Sequence, residues 1–349
     1  MDRVNRPEEV EQEVRELLAS IGARSLEEVI GRADLLTQVS RGAAHLDDLD
    51  LNPLLITVSE NQGGYDRDRP RNAVPDTLDA EIVKDAQRFL EDGEKMQLEY
   101  AVQNTHRTVG TRTSSHIVKN FGMRNDLQDD HLTIKLKGSA GQSLGAFAAP
   151  GLKIQVSGDA NDYVGKGLSG GTIVVRPPMA SPLIASENVI IGNTVLYGAT
   201  GGSLFAAGRA GERFAVRNSG ASVVIEGCGT NGCEYMTGGV AVILGQIGGN
   251  FGAGMTGGMA YIYDPDDTAT ALINAETLVL GPVAVDHWEN QLRGLIERHL
   301  AETDSRRAAD ILGHWDRQRG HFLQVCPKEM LPHLEAPLGH EEERAVPAE

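Results

Sequence analysis

Cysteine, aromatic rings and positive charge are all scarce in this chain of 349 residues, and each shortage removes a class of function. Three cysteines, Cys228, Cys233 and Cys326, are too few and odd in number for a disulfide framework. Aromatic residues make up 5% of the sequence, so the core must be built from Val, Ile, Leu and Ala rather than from large rings. Against 49 Asp and Glu stand only 32 Lys and Arg, a net charge of −17, which argues against a nucleic acid or an anionic membrane surface as partner. No apolar run approaches the length of a membrane span, and the opening MDRVNRPEEVEQEV has no apolar heart for a signal peptide. The reading is a cytoplasmic protein.

What the chain has in excess is glycine. Of its 41 glycines, 28 fall between Gly138 and Gly258. Gly151, Gly171, Gly202, Gly220, Gly239 and Gly258 are each followed at once by a short β-prone run: LKIQV, TIVV, SLFAA, ASVVIEG, VAVILG and MAYIY. The steps between them are 20, 31, 18, 19 and 19 residues, and the long step contains the polar, proline-rich stretch RPPMASPLIASEN. A fixed period with one strand after each corner predicts a solenoid of about 19 residues per turn. The corners recur as LSGG, ATGG, MTGG and MTGG, ending at Gly171, Gly202, Gly239 and Gly258. All six, Gly151, Gly171, Gly202, Gly220, Gly239 and Gly258, are assigned as structural corners, where positive φ or close stacking of backbones excludes a Cβ. Ile154, Val156, Ile173 and Val175, with some of Val223–Ile225 and Val240–Leu244, are the expected interior stack.

Flanking the ladder, the periodicity turns helical. Val10, Val14, Leu17, Leu18 and Ile21 share one face of a helix over 8–22. Ser25 and Glu28 form a capping-box pattern that predicts a second helix. Residues 46–76 read as an extended connection, and Thr77 caps a third helix ending at Gly93. A strand near 98–103, a helix near 113–120, and two C-terminal helices over 286–302 and 305–318 follow. The resulting division is a helical and extended segment (1–130), the glycine ladder (131–265), C-terminal helices (266–335) and a disordered tail (336–349).

Several motifs tempt a chemical reading. GKGLSG (165–170), GCGTNG (227–232) and GAGMTG (252–257) all fit the dinucleotide fingerprint. A true fingerprint occurs once and opens a helix, whereas these repeat with the ladder, so no cofactor-binding residue is assigned. Cys228 and Cys233 lack the further ligands a closed metal site needs, and no metal site is assigned. No catalytic residue stands out. Polar clusters at GDANDY (158–163) and NTHRTVGTR (104–112) remain; His106, Arg107, Gly110 and Arg112 in the latter are a candidate interface.

Taken in order, GSAGQSLGAFAAPG, GDANDYVGKGLSGGTIVVRPP, IIGNTVLYGATGG, AGERFAVRNSGA, GTNGCEYMTGG and NFGAGMTGGMAYIYD closely resemble the glycine-motif domain at the C-terminal end of glutamate synthase large subunits. VEQEVRELLASIGARSLEEVIGRADLL resembles the last helices of that family's FMN-binding synthase domain, NTHRTVGTR its lead-in to the ladder, and LIERHLAETDSRRAADILGHW its final helices. The resemblance implies a mainly β fold, a right-handed single-stranded β-helix flanked by helices, with a structural role. It implies no cofactor in this chain, with FMN and an iron–sulfur cluster on partner chains, namely a glutaminase-like and an FMN-binding synthase subunit. It carries over no catalytic residue. β-Helix subunits of N-methylglutamate synthase or formylmethanofuran dehydrogenase are the related alternatives, and a free-standing ligand-binding solenoid is the third reading. The apolar face of Val14, Leu17, Leu18 and Ile21 would need a partner in the first reading.

Overall fold

The structure, a computed structural model, describes residues 7–56, 75–123 and 126–339. They fall into two units, Met1–Pro75 and Asp76–Glu349. The first holds α1 (Pro7–Ser20), short 3-10 turns at Leu26–Glu28, Ala33–Leu35 and Asn52–Leu54, and the four-residue α2 (Ala44–Asp47). The helix predicted after Ser25 is therefore replaced by isolated turns. Ser25 makes no side-chain cap, and the Glu28 carboxylate instead accepts from the Arg24 N–H at 2.9 Å. Glycines at positive φ (Gly22 at 77°, Gly31 at 79°) bracket this segment and stop a helix from propagating. Most of the predicted connection, residues 57–74, lies outside the described residues, as do 340–349 of the predicted tail.

The second unit is mainly β. After α3 (Leu78–Asp85) and α4 (Gln87–Asp92) come β1 (Met96–Val102), α5 (Thr111–Phe121), β2 (Leu132–Ala140) and β3 (Leu152–Ala160). Then follow β4 (Ser169–Arg176), β5 (Val189–Ile191), β6 (Gly201–Ala206), β7 (Arg209–Ala210), β8 (Ser219–Ile225), β9 (Thr237–Ile243) and β10 (Gly257–Tyr263). The chain finishes with β11 (Leu278–Pro282), α6 (Asp286–Thr303), α7 (Arg306–Gly313), α8 (Trp315–Gln318) and β12 (Phe322–Pro327). Ten strands line up in one sheet in the order β1-β2-β3-β4-β6-β8-β9-β10-β12-β11, with β5 and β7 as a side ladder. Segment 76–130 belongs with this sheet rather than with the preceding residues, because β1 pairs in parallel with β2 over its whole length.

The register is what the glycine period dictates. Leu98, Ile134, Ile154, Ile173, Leu204, Val223, Ala241 and Ala260 are successive partners down the parallel ladder. Since side chains alternate faces, that column and the Leu136–Val156–Val175 column sit in one core, against Leu144, Val164, Val195 and Phe214 of the connecting turns. The intervening column starts polar, Lys135 then Gln155, and becomes apolar at Val174, Phe205, Val224, Val242 and Tyr261. There the C-terminal helices cover the other face with Trp288, Leu292, Ile296 and Ile311. Alternation thus divides the predicted interior set: Val223 and Ile225 face the turns, while Val224 and Val242 face the helices.

After β10 the ladder ends in a way the sequence reading did not anticipate, with strands instead of helices alone. β12 runs antiparallel to β10, pairing Ala260 with Val325 and Tyr263 with Phe322, and β11 adds outside it. A parallel ladder that simply stopped would leave its last row of N–H and C=O groups open. The reversed strand satisfies them and breaks the repeat.

Opposite the sheet, each repeat passes through a turn with alternating left-handed residues. Tyr163, Gly165 and Gly167 have φ of 62°, 65° and 62°; Arg213, Ala215 and Arg217 have 56°, 55° and 54°; and Ser143, Thr194, Asn231 and Asn250 open equivalent triplets. Bulky residues rarely accept this conformation. Here it aims alternate amides at the two neighbouring repeats. The Tyr163 and Gly167 N–H groups donate forward to Asn193 O and Tyr197 O, both at 2.8 Å, and Gly165 N–H donates back to Leu144 O at 2.9 Å.

At the sheet corner, Gly202 shows why the ruler positions reject side chains. Its φ is 90°, and a Cβ there would meet the Gly171 carbonyl oxygen at 2.4 Å. Gly202→Ala is expected to lose about 3 kcal/mol or more, combining backbone strain with a backbone clash. Gly249→Ala, where a Cβ meets nothing within 4 Å, should change stability by less than about 1 kcal/mol. Urea unfolding of the two variants checks the contrast.

Candidate functional site

The six ruler glycines all lie where strands enter the ladder. Gly151, Gly239 and Gly258 have φ of 92°, 83° and 84°. Gly171 and Gly220 lack the left-handed backbone but are crowded, with a Cβ at Gly220 falling 2.2 Å from Thr200 O and one at Gly171 falling 2.9 Å from Ala148 Cβ.

The candidate interface residues gather around a group that sequence reasoning missed. Asp79, on the first turn of α3, is buried, and its carboxylate accepts from Gly110 N–H at 3.1 Å, Arg112 N–H at 2.6 Å and the Thr113 hydroxyl at 2.6 Å. The two amides are backbone donors left open at the N-terminus of α5, so the carboxylate caps the helix and meets its positive end. Gly110 is the helix's N-cap at φ 96°, pressed so close to Ile154 that a Cβ would lie 2.5 Å from Cδ1. His106 Nδ1 accepts from Gln103 N–H at 3.3 Å, and the Arg107 guanidinium donates to the Gln142 side chain. Arg112 contributes its amide, and its side chain is exposed. The loop is thus locked from inside, with Arg112 and the edge of His106 left for an outside contact. An acid 31 residues before Gly110 gave no local signal, because only the α3–α5 packing brings it there.

GDANDY is also a structural bridge. Asn161 donates from Nδ2 to Asn104 Oδ1 at 2.8 Å, and Asp162 Oδ1 accepts from Asn193 N–H at 2.8 Å. A similar chain of amides joins Asn274, Asn250 and Asn231 at 3.1 and 2.7 Å. In the fingerprint-like motifs, Gly165, Gly167, Gly252 and Gly254 occupy the alternating left-handed positions, and each motif leads into a strand or turn rather than a helix. Cys228 and Cys233 are free and fully buried, Cys228 crowding Gly232 together with the Phe251 ring. Burial pushes the Cys228 thiol up to about 12 and raises Cys233 as well. No group of three metal-ligating side chains occurs among the described residues.

A second buried polar group anchors the C-terminal helices. Glu226, just after β8, accepts from the Ser305 hydroxyl, which also caps α7 by accepting from Ala308 N–H at 3.0 Å. His299 of α6 lies 3.7 Å from the same carboxylate and is wholly buried. Nearby, Lys153 and Glu302 form a largely buried ion pair at 2.6 Å, and Arg298 stacks over Phe205 at 5.0 Å while donating to Ser203 Oγ at 3.1 Å.

A mainly β fold built on a parallel ladder whose strands are entered through glycines is the class of protein this chain defines. The family described as GXGXG motif matches residues 79–328. The chain belongs to that family. It is 63% identical over 328 residues to the glutamate synthase [NADPH] large chain of Azospirillum brasilense, covering 94% of this chain and 22% of that protein. The glutamate synthase [NADH] of Schizosaccharomyces pombe is 43% identical over 337 residues (96% of this chain, 16% of that protein). The ferredoxin-dependent glutamate synthase 2 of Synechocystis is 44% identical over 325 residues (91% and 21%). The chain therefore spans about a fifth of the length of these relatives. No helix among the described residues is long and apolar enough to cross a membrane.

Two measurements follow. Asp79→Ala should cost about 2–4 kcal/mol, since it strips a buried cap and leaves amide donors unpaired; denaturant titration reads it. Thiol reagents should label neither Cys228 nor Cys233 in the native protein at pH 8, and both after unfolding, as followed by mass spectrometry.

Proposed function

We propose that this chain is the non-catalytic scaffold of a glutamate synthase-type assembly, with the parallel ladder forming one wall of a right-handed β-helix. Parallel neighbours about 19 residues apart, linked by turns that also bond repeat to repeat, are what one strand-and-turn per revolution produces. Right-handed crossover is the rule for such connections. The assembly's reaction in this reading is glutamine-dependent amidotransfer to 2-oxoglutarate. Glutaminase-like and FMN-binding synthase parts, the latter with an iron–sulfur cluster, lie on partner polypeptide outside this chain.

The observation that carries the reading is the state of residues 10–56. None of those described is buried, and Val10, Leu17, Ile21, Leu26, Ile30, Leu35 and Leu36 are exposed, Leu17 and Leu36 at 62% each. An apolar set of this extent without a core belongs to an interface. A second support comes from the relatives. Their names specify NADPH, NADH and ferredoxin, yet all keep 43–63% identity across this region. A part that recognised the electron donor would differ with the donor, whereas a scaffold need not.

Affinity capture of the full chain from its native cells is expected to retain a glutaminase-like polypeptide and one with flavin absorbance. The Leu17→Asp/Leu36→Asp double variant should lose the flavin-bearing partner while the 76–339 unit keeps its melting transition. Capture of neither partner would refute the scaffold reading, and glutaminase or glutamate-forming activity in the purified chain alone would replace it.

A further inference from the structure

The one long step of the glycine ruler places an overhang, residues 177–188, beside an otherwise regular repeat. Together with the turn at 264–269 it walls a cavity of about 610 Å3, lined by Glu187, Arg209, Glu226, Asp264, Asp266 and Arg307. Charges of both signs face this cavity without neutralising one another. No carboxylate among the described residues comes within 4.0 Å of either guanidinium. Elsewhere the arginines near acids close on them directly, as Arg213 does on Glu234 and Arg319 on Glu289, both at 2.9 Å.

Each guanidinium is held in place by something other than an acid. Arg209 is half-buried and lies flat on Gly227, where a Cβ would meet its Cγ at 3.1 Å and its Nε at 3.2 Å. Its guanidinium makes no hydrogen bond among the described residues, while its backbone N–H donates to Asn188 O at 2.8 Å. Arg307, also half-buried, donates from Nε to Leu244 O at 2.9 Å and stacks over Tyr263 at 4.9 Å, so its terminal nitrogens remain unused. The acids are disposed differently. Asp264 is spent on its own turn, accepting from Thr268 N–H at 3.0 Å and Ala269 N–H at 2.8 Å. Glu226 is buried and accepts from Ser305 through Oε1, with Oε2 making no hydrogen bond among the described residues. Glu187 and Asp266 are exposed at the rim.

Half-buried guanidinium groups give up hydration, and a ligand oxyanion restores it best, through paired N–H donors. A simple dianion would meet the rim carboxylates and the net charge of −17. A ligand carrying both charges suits both walls. We propose that this cavity binds a free α-amino acid, its carboxylate received by Arg209 and Arg307 and its ammonium by Glu187 and Asp266. The binding rests on these residues alone, so its failure leaves the scaffold reading untouched.

Titration calorimetry of the full chain with L-glutamine, succinate and ethanolamine as separate probes tests the assignment. L-Glutamine should bind saturably with a Kd of about 1 mM or tighter, and the two single-charge-type probes at least roughly tenfold more weakly. Arg209→Gln should weaken L-glutamine binding roughly tenfold, and Asp266→Asn should weaken it without altering the melting transition. Arg209→Gln is the deciding variant if Arg307→Gln, which also loses the Leu244 and Tyr263 contacts, unfolds. Succinate binding as tightly as L-glutamine, unchanged binding in Arg209→Gln, or no saturable binding would each overturn the proposal.

Discussion

Backbone hydrogen bonding between equivalent positions of successive repeats is the constraint on which this structure depends. It acts on both sides of the core. On the sheet side it is an ordinary parallel ladder. On the turn side it needs alternating left-handed residues, so that one amide reaches forward and the next reaches back. Either arrangement fails if neighbouring backbones are held apart by a Cβ, which is why Gly202 sits over the Gly171 carbonyl. The glycine ruler is therefore a record of contact distance between repeats as much as of turn conformation. Phe147 shows the same economy of space from the other direction. Its exposed ring lies where a Cβ on Gly167 would be, 2.5 Å from Cδ1.

A sheet gains stability from each neighbouring strand, and its edges and apolar faces must be covered. Here the far end is closed by the reversed β12 and the face by α6 and α7. The apolar outer column begins at Val174, where α6 begins to cover it, while Lys135 and Gln155 precede it on the uncovered part. Buried polar anchors then fix how the helices sit. Glu226 with Ser305, Arg298 with Ser203 and Phe205, and Tyr263 with Gln318 at 2.6 Å each tie a helix residue to the sheet. Hydrophobic burial alone would let the helices slide; these directional contacts select one position.

Much of the ladder was legible because its causes are local and repeated. The period, the strand after each corner, the Thr77 cap, which accepts from Ala80 N–H at 3.3 Å, and the Gly93 stop at φ 70° all follow from residues next to the features they make. What was not legible depends on distance in the chain. Asp79 caps α5 from 31 residues away, and no pattern at 104–112 names it. β11 and β12 carry ordinary apolar residues whose strand character comes from the open edge of β10. Ser25 and Glu28 matched a capping box, but the residues after them have no core to pack against in this chain, and an isolated helix of that length does not hold itself. The candidate interface residues were picked for their polarity, which largely serves to close the loop.

The same reasoning separates regular ladder from recess within one molecule. Where the repeat is regular, side chains one repeat apart bond to one another, as in the Asn231–Asn250–Asn274 chain. Chemistry needs a break in that symmetry. The break is the 177–188 overhang, and beside it Arg209 and Arg307 keep nitrogens that the ladder does not use. A periodic fold thus points to its own irregularity: the segment that spoils the ruler in the sequence is the one that builds a recess in the structure.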